Sequence, residues 1–101
     1  MDQPLATLDG SGTQSRHLQI CNERGLHARA SARFVKLCET FDAKVVVEKG
    51  EYSVGGTSIM GLMMLAASKG CSVKVSASGP DAVAALDALE DLVHSRFGED
   101  V

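Results

Sequence analysis

Tryptophan is missing from this 101-residue chain, and one tyrosine and three phenylalanines are its only aromatic residues. A platform for stacking single-stranded bases needs several such rings on one face. Basic residues are also in short supply: 10 Lys and Arg against 13 Asp and Glu give a formal net charge of −3 and a pI near 5.5. A nucleic-acid binder normally carries a basic face, so no nucleic-acid partner is expected. The three cysteines, Cys21, Cys38 and Cys71, lie far apart in apolar surroundings with no C-x-x-C spacing. They are expected to be small buried hydrophobes in a reducing cytosol rather than disulfide partners. His17 lies near Cys21, but no second ligand pair follows, so no metal is expected. No stretch approaches the roughly 20 apolar residues that span a bilayer, so membrane insertion is not expected. The first fifteen residues are polar, without the hydrophobic run of a signal peptide, and a cytoplasmic location is expected.

What is present is enough apolar side chain, 45% of residues, for one modest globular core. Residues 1–15, with Pro4, Gly10, Gly12 and several hydroxyl side chains, read as a flexible N-terminal tail, and residues 16–101 as the folded domain. Leu18 and Ile20 alternate with polar neighbours in a first strand over residues 16–22. Apolar positions at Ala30, Phe34, Leu37, Cys38 and Phe41 predict a helix over residues 28–40. Val45, Val46 and Val47 mark a second strand, joined through Gly50-Glu51 to a short third strand that begins at Tyr52, with glycine first as in a type II′ hairpin turn. Ser58 is a natural N-cap for a short apolar helix over residues 59–66. Cys71, Val73 and Val75 alternate in a fourth strand. Gly79-Pro80-Asp81 then opens a final helix striped by Val83, Leu86, Leu89, Val93 and Phe97, with proline near the first helical position. The order β-α-β-β-α-β-α predicts an α+β fold, an open-faced β-sandwich with a four-stranded antiparallel sheet and three helices on one face. Its other face would meet water through Gln19, Lys44, Lys74 and Ser76.

The stretch that carries chemistry is Gly25-Leu26-His27-Ala28-Arg29-Ala30, which puts a histidine where a helix begins. A helix start leaves backbone N–H groups without intrahelical partners, and its dipole makes the spot electropositive. An imidazole there can carry a phosphoryl group whose oxygens meet those N–H groups. Arg29 adds a planar, permanently charged fork for the same anion. His is nucleophilic while neutral near pH 7, so it can attack phosphorus directly. The plainer alternative is a surface or capping histidine with a solvated arginine. His17, near a strand edge, and His94, late in the final helix, lack the turn-helix context and receive only that plain reading. With no second catalytic group near His27, a turnover enzyme is not expected.

Three features together resemble the HPr family, the histidine-containing phosphocarrier proteins of the bacterial phosphoenolpyruvate-dependent phosphotransferase system. They are the histidine hexapeptide, Thr57-Ser58-Ile59-Met60-Gly61-Leu62, and the element order around them, over roughly residues 17–96. The resemblance implies that residues 16–101 form an HPr domain. His27 matches the residue phosphorylated at Nδ1 by enzyme I, with the group coming from phosphoenolpyruvate and passing on to a IIA protein or domain. Arg29 matches the phosphate-stabilising arginine. Ser58 matches the serine that an ATP-dependent HPr kinase/phosphorylase modifies in many members. No cofactor is implied. Ile59, Met60 and Met63 would form an exposed docking patch while Leu62 and Leu65 pack inward, and Arg24, Arg33 and Lys36 would supply a basic rim. Ala30 stands where many sugar-transport members carry proline, Arg24 where a small polar residue is usual, and Thr57 where a lysine is common. The His-Ala-Arg-Ala-Ser wording resembles HPr versions that serve regulatory phosphorelays. An HPr-like interaction protein controlling metabolism rather than sugar uptake is therefore the alternative function.

Overall fold

In the computed structural model, which describes residues 13–101, alternating apolar positions build four strands and periodic ones build three helices. They are β1 (Gln14–Gln19), α1 (Ala28–Cys38), β2 (Lys44–Lys49), β3 (Tyr52–Gly55), α2 (Ile59–Met64), β4 (Ser72–Ser78) and α3 (Ala82–His94), followed by a single 3-10 turn (Arg96–Gly98). The strands form one sheet in the order β1-β4-β2-β3, with every neighbouring pair antiparallel. This is the expected open-faced α+β sandwich. Leu18, Val45, Val47, Val73, Val75 and Ala77 turn toward the helices and are buried, whereas Gln19 and Lys44 remain exposed and Lys74 and Ser76 half-buried. Phe34 of α1, Leu62 of α2 and Leu86, Leu89 and Val93 of α3 complete the core, each such side chain contributing about 1.5–3 kcal/mol by leaving water.

Several boundaries differ from the sequence expectation. β1 begins at Gln14, so Gln14 and Ser15, expected in the tail, instead pair with Ala77 and Ser76 of β4. The expected tail's residues 1–12 lie outside the described residues. α1 stops at Cys38, where Thr40 Oγ1 donates to Leu37 O at 2.7 Å and closes the end. α2 stops at Met64 because Ala66 takes a left-handed φ of 52° that cannot continue a helix. Gly50 takes a φ of 60° at the first central position of the hairpin turn, as expected. Of the cysteines, only Cys38 is buried; Cys21 and Cys71 are half-buried.

The final helix corrects the expected stripe. Its buried residues are Ala82, Ala85, Leu86, Leu89 and Val93, and Val83 is exposed, lying about 100° around the axis from Ala82. Asp81 is the N-cap, so Pro80 precedes the helix instead of standing at its first position. Asp81 instead clamps the helix start to the α1–β2 loop. Asp42 N donates to its Oδ2 at 2.8 Å, and its own N donates to Asp42 O at 3.0 Å. At the opposite end, Arg96 and Phe97 take left-handed φ values of 59° and 55°, a conformation costing about 1–2 kcal/mol per residue. Complete burial of Phe97 offsets that strain, and Arg33 of α1 donates to the Phe97 carbonyl. Arg16 fastens β1 to α3 through Asp87 at 2.7 Å and Glu90 at 2.8 Å.

Candidate functional site

His27 is the N-cap of α1, with extended backbone and no side-chain cap bond. The first helical bond runs from Ser31 N to His27 O at 2.9 Å, which leaves the N–H groups of Ala28, Arg29 and Ala30 outside the helical ladder. The loop that delivers this histidine is pinned along its length. Gly25 N donates to Asn22 O at 3.2 Å, and Leu26 N donates to Ala67 O at 2.9 Å. The amide Nδ2 of buried Asn22 donates to Gly25 O at 2.9 Å, and the hydroxyl of buried Ser31 reaches back to Leu26 O at 3.1 Å. Gly25 is doubly constrained: its φ is +63°, and an added Cβ would lie 2.3 Å from Ala67 O. The glycine therefore does more than open a turn. It lets the histidine loop lie directly against the segment that follows α2.

The imidazole is 21% exposed, and its Nε2 contacts the carboxylate of Glu99, whose side chain is 12% exposed. The second oxygen of Glu99 accepts from Asn22 Nδ2 at 3.0 Å. Burial pushes the Glu99 carboxyl up, but hydrogen bonds from Asn22 and His27, with the charges of His27 and Arg29, outweigh it and hold the group below its ordinary range. Glu99, the ring's partner, also lines a cleft of about 360 Å³ together with Arg24, Arg29, Arg33, Gly98, Asp100 and Val101. Three guanidinium forks around one opening suit an anion with several oxygens. Lys36, expected on the same rim, instead lines a separate groove with Arg33, Leu37, Thr40 and Leu92.

Ser58 caps α2, its Oγ accepting from Gly61 N at 2.9 Å. Gly61 leaves room for that cap, since a Cβ there would come within 2.9 Å of the hydroxyl. Leu62 and Leu65 are buried as expected, and Ile59, Met60 and Met63 are exposed. Met64, which the sequence reading passed over, is exposed with them, so the apolar patch is larger than expected. α1 and α2 pack together, which puts the histidine's helix and the patch on adjoining elements. Asn22 and Glu99 also went unnoticed in the sequence. Asn22, three residues before a turn glycine, fits a side chain that organises a loop, but Glu99 follows the last helix with no local signal. Among the described residues no group of three His, Cys, Asp or Glu is placed to hold a metal ion, and no helix is long and apolar enough to cross a membrane.

Comparison with known proteins gives one answer. The family described as "PTS HPr component phosphorylation site" matches residues 14–95. The phosphocarrier protein HPr of Neisseria meningitidis is 46% identical over 82 residues, covering 81% of this chain and 92% of that protein. The phosphocarrier protein NPr of Shewanella violacea is 40% identical over 84 residues, covering 83% and 92%. The crystal structure of HPr from Thermoanaerobacter tengcongensis superposes with a TM-score of 0.83 at 43% identity, covering 87% of this chain and 99% of that one. The arginine-lined opening, joined through Glu99 to a helix-capping histidine, thus sits in a fold shared with these phosphocarriers, and the chain belongs to the HPr family of the phosphotransferase system, with the phosphocarrier role that membership carries.

Proposed function

We propose that the protein carries its phosphoryl group on His27, receives it from enzyme I, which is charged by phosphoenolpyruvate, and passes it to a IIA protein or domain. The observation that carries this reading is the partly exposed ring of His27, which caps α1 and is joined through Glu99 to the cleft of Arg24, Arg29 and Arg33. Phosphoryl transfer is mostly positioning and charge stabilisation, and the site offers both. The unpaired N–H groups at the start of α1 and the fork of Arg29 receive the oxygens. Because the cleft is open, the group can leave again to a second protein. Arg24 and Arg33 extend the positive surface for acidic partners, and Ile59, Met60 and Met63, with Met64, give flexible apolar contacts suited to more than one partner. Lys36 belongs to this docking surface only at its edge. Residues 14–101, which include the two β1 residues first assigned to the tail, act as one unit, in the cytoplasm.

Ser58 is the proposed regulatory site, modified by an HPr kinase/phosphorylase. Its hydroxyl already faces the start of α2, and phosphate there would put about two negative charges next to the apolar patch. A second reading, a regulatory phosphorelay rather than sugar uptake, draws support from Ala30 and Ser31 after the His-Ala-Arg string and from similarity to the Shewanella NPr. The direct test incubates the protein with enzyme I, Mg²⁺ and phosphoenolpyruvate and maps the modified residue. Acid-labile phosphate on His27, lost in His27→Gln, is expected. Acid-labile phosphate retained by His27→Gln would refute the assignment. Acid-stable phosphate on Ser58, formed with ATP and the kinase, tests the regulatory part separately.

A further inference from the structure

The chain after α3 returns to the site by an unusual route. Two successive non-glycine residues, Arg96 and Phe97, take the left-handed conformation, and such backbone persists only where its surroundings fix it. Here three attachments do so. Phe97 is sealed in the core, Arg33 holds the Phe97 carbonyl, and the Glu99 carboxylate joins Asn22 Nδ2 with one oxygen and His27 Nε2 with the other. Asn22 shows what this arrangement costs. It is fully buried and its Oδ1 has no hydrogen-bond partner among the described residues. That unsatisfied acceptor is a cost, and what the side chain provides in return is the amide that grips Gly25 O and Glu99 together.

An ionised carboxylate only accepts hydrogen bonds. Nε2 of His27 must therefore carry its hydrogen toward Glu99, and in the neutral ring Nδ1 is then the nitrogen with a free lone pair. We propose that Glu99 is a positioning residue for phosphoryl transfer, holding the Nε2–H of His27 so that a bare Nδ1 meets the incoming phosphorus. The proposal rests on the reading of His27 as acceptor. In the step, the Nδ1 lone pair forms the N–P bond while the donor's bond to phosphorus breaks and its electron pair departs with the donor. No proton is transferred. The ring keeps Nε2–H and takes up a positive charge, which lies against the Glu99 carboxylate. This is the way a carboxylate supports a catalytic imidazole in hydrolytic triads. On onward transfer the same events run backward.

The test compares the protein with Glu99→Ala, using phosphorylated enzyme I as donor, together with ¹⁵N NMR of the His27 ring. The expected result is a fall of about tenfold in the transfer rate constant with the apparent affinity for the donor changed less than twofold. The ring signals of the unphosphorylated protein at neutral pH should show one tautomer with a slowly exchanging Nε2–H, and this protection should vanish in Glu99→Ala. Because Phe97 remains in place, the variant keeps its core, and an Asn22→Ala variant, which loosens the same carboxylate, should shift the ring signals in the same direction. Phosphate found on His27 at an undiminished rate in Glu99→Ala, or ring signals unmoved by the substitution, would overturn the proposal and leave His27 as acceptor intact. Phosphate found on another residue would overturn both.

Discussion

Replacing Gly25 by alanine separates two costs that usually travel together. The backbone φ of +63° at Gly25 nearly matches the +60° at Gly50, but the surroundings differ: a Cβ at Gly50 meets nothing within 4 Å, and one at Gly25 comes 2.3 Å from Ala67 O and 2.9 Å from Ser68 Cα. A left-handed alanine costs about 1–2 kcal/mol, and that is the whole expectation for Gly50→Ala. At Gly25 the obstacle is backbone, which cannot swing aside as a side chain does. Either the loop or the segment after α2 must retreat, breaking the bond from Leu26 N to Ala67 O at about 0.5–1.5 kcal/mol and adding overpacking strain of about 1–3 kcal/mol. Gly25→Ala should therefore destabilise by about 3–6 kcal/mol, about three times as much as Gly50→Ala, against a total of about 5–15 kcal/mol for a domain. Urea unfolding of both variants, read by circular dichroism, measures the difference. Phosphate acceptance should fall in Gly25→Ala under conditions where it remains folded, since the loop carries His27, and stay unchanged in Gly50→Ala. Equal losses of stability at the two positions would refute the close-approach argument.

Three further outcomes are expected. Ser58→Ala should cost about 0.5–2 kcal/mol through loss of the cap, whereas Ser58→Asp, which also caps, should unfold close to the original midpoint yet accept phosphate from enzyme I about tenfold more slowly through charge next to the patch; an undiminished rate would refute the switch. Burial, aided by the charge of Glu39, pushes the Cys38 thiol up to about 12, and hydrogen bonds from Ser68 pull the Cys71 thiol down, so iodoacetamide at pH 8 should label Cys71 well before Cys38, as mass spectrometry would show. Glu99, held below its ordinary 4.5, contributes its full stabilisation above that value and loses it as pH falls through the lower folded value. NMR titration should place its midpoint below 4.5 and show residues 98–100 loosening in the same range; a midpoint at or above 4.5 would contradict the site's electrostatics.

Much of the fold was legible because it depends on local order. Alternation in Val73 to Ala77 and the three-and-four spacing in α1 each report a face that must be covered, and the cap at Ser58 and the turn at Gly50 are solved by residues next to one another. The expectation failed where two local patterns competed. Val83 is as apolar as its neighbours, but Ala82 and Ala85 take the inward positions, and only the depth of the sheet beneath the helix settles which side is buried. Likewise Gln14 and Ser15 look like tail, and they become strand because β4 offers them partners.

The site divides along the same line. The sequence by itself placed a nucleophilic ring and an arginine at a helix start, and a serine at the start of a second helix, because helix ends are made by consecutive residues and their dipoles come with them. Tertiary structure alone decided what surrounds the ring. Glu99 reaches His27 from 72 positions away, and Asn22 and Arg33 hold that C-terminal segment from 77 and 64. No periodicity records such contacts, because they exist only once Phe97 has been drawn into the core and the chain behind it has nowhere else to go.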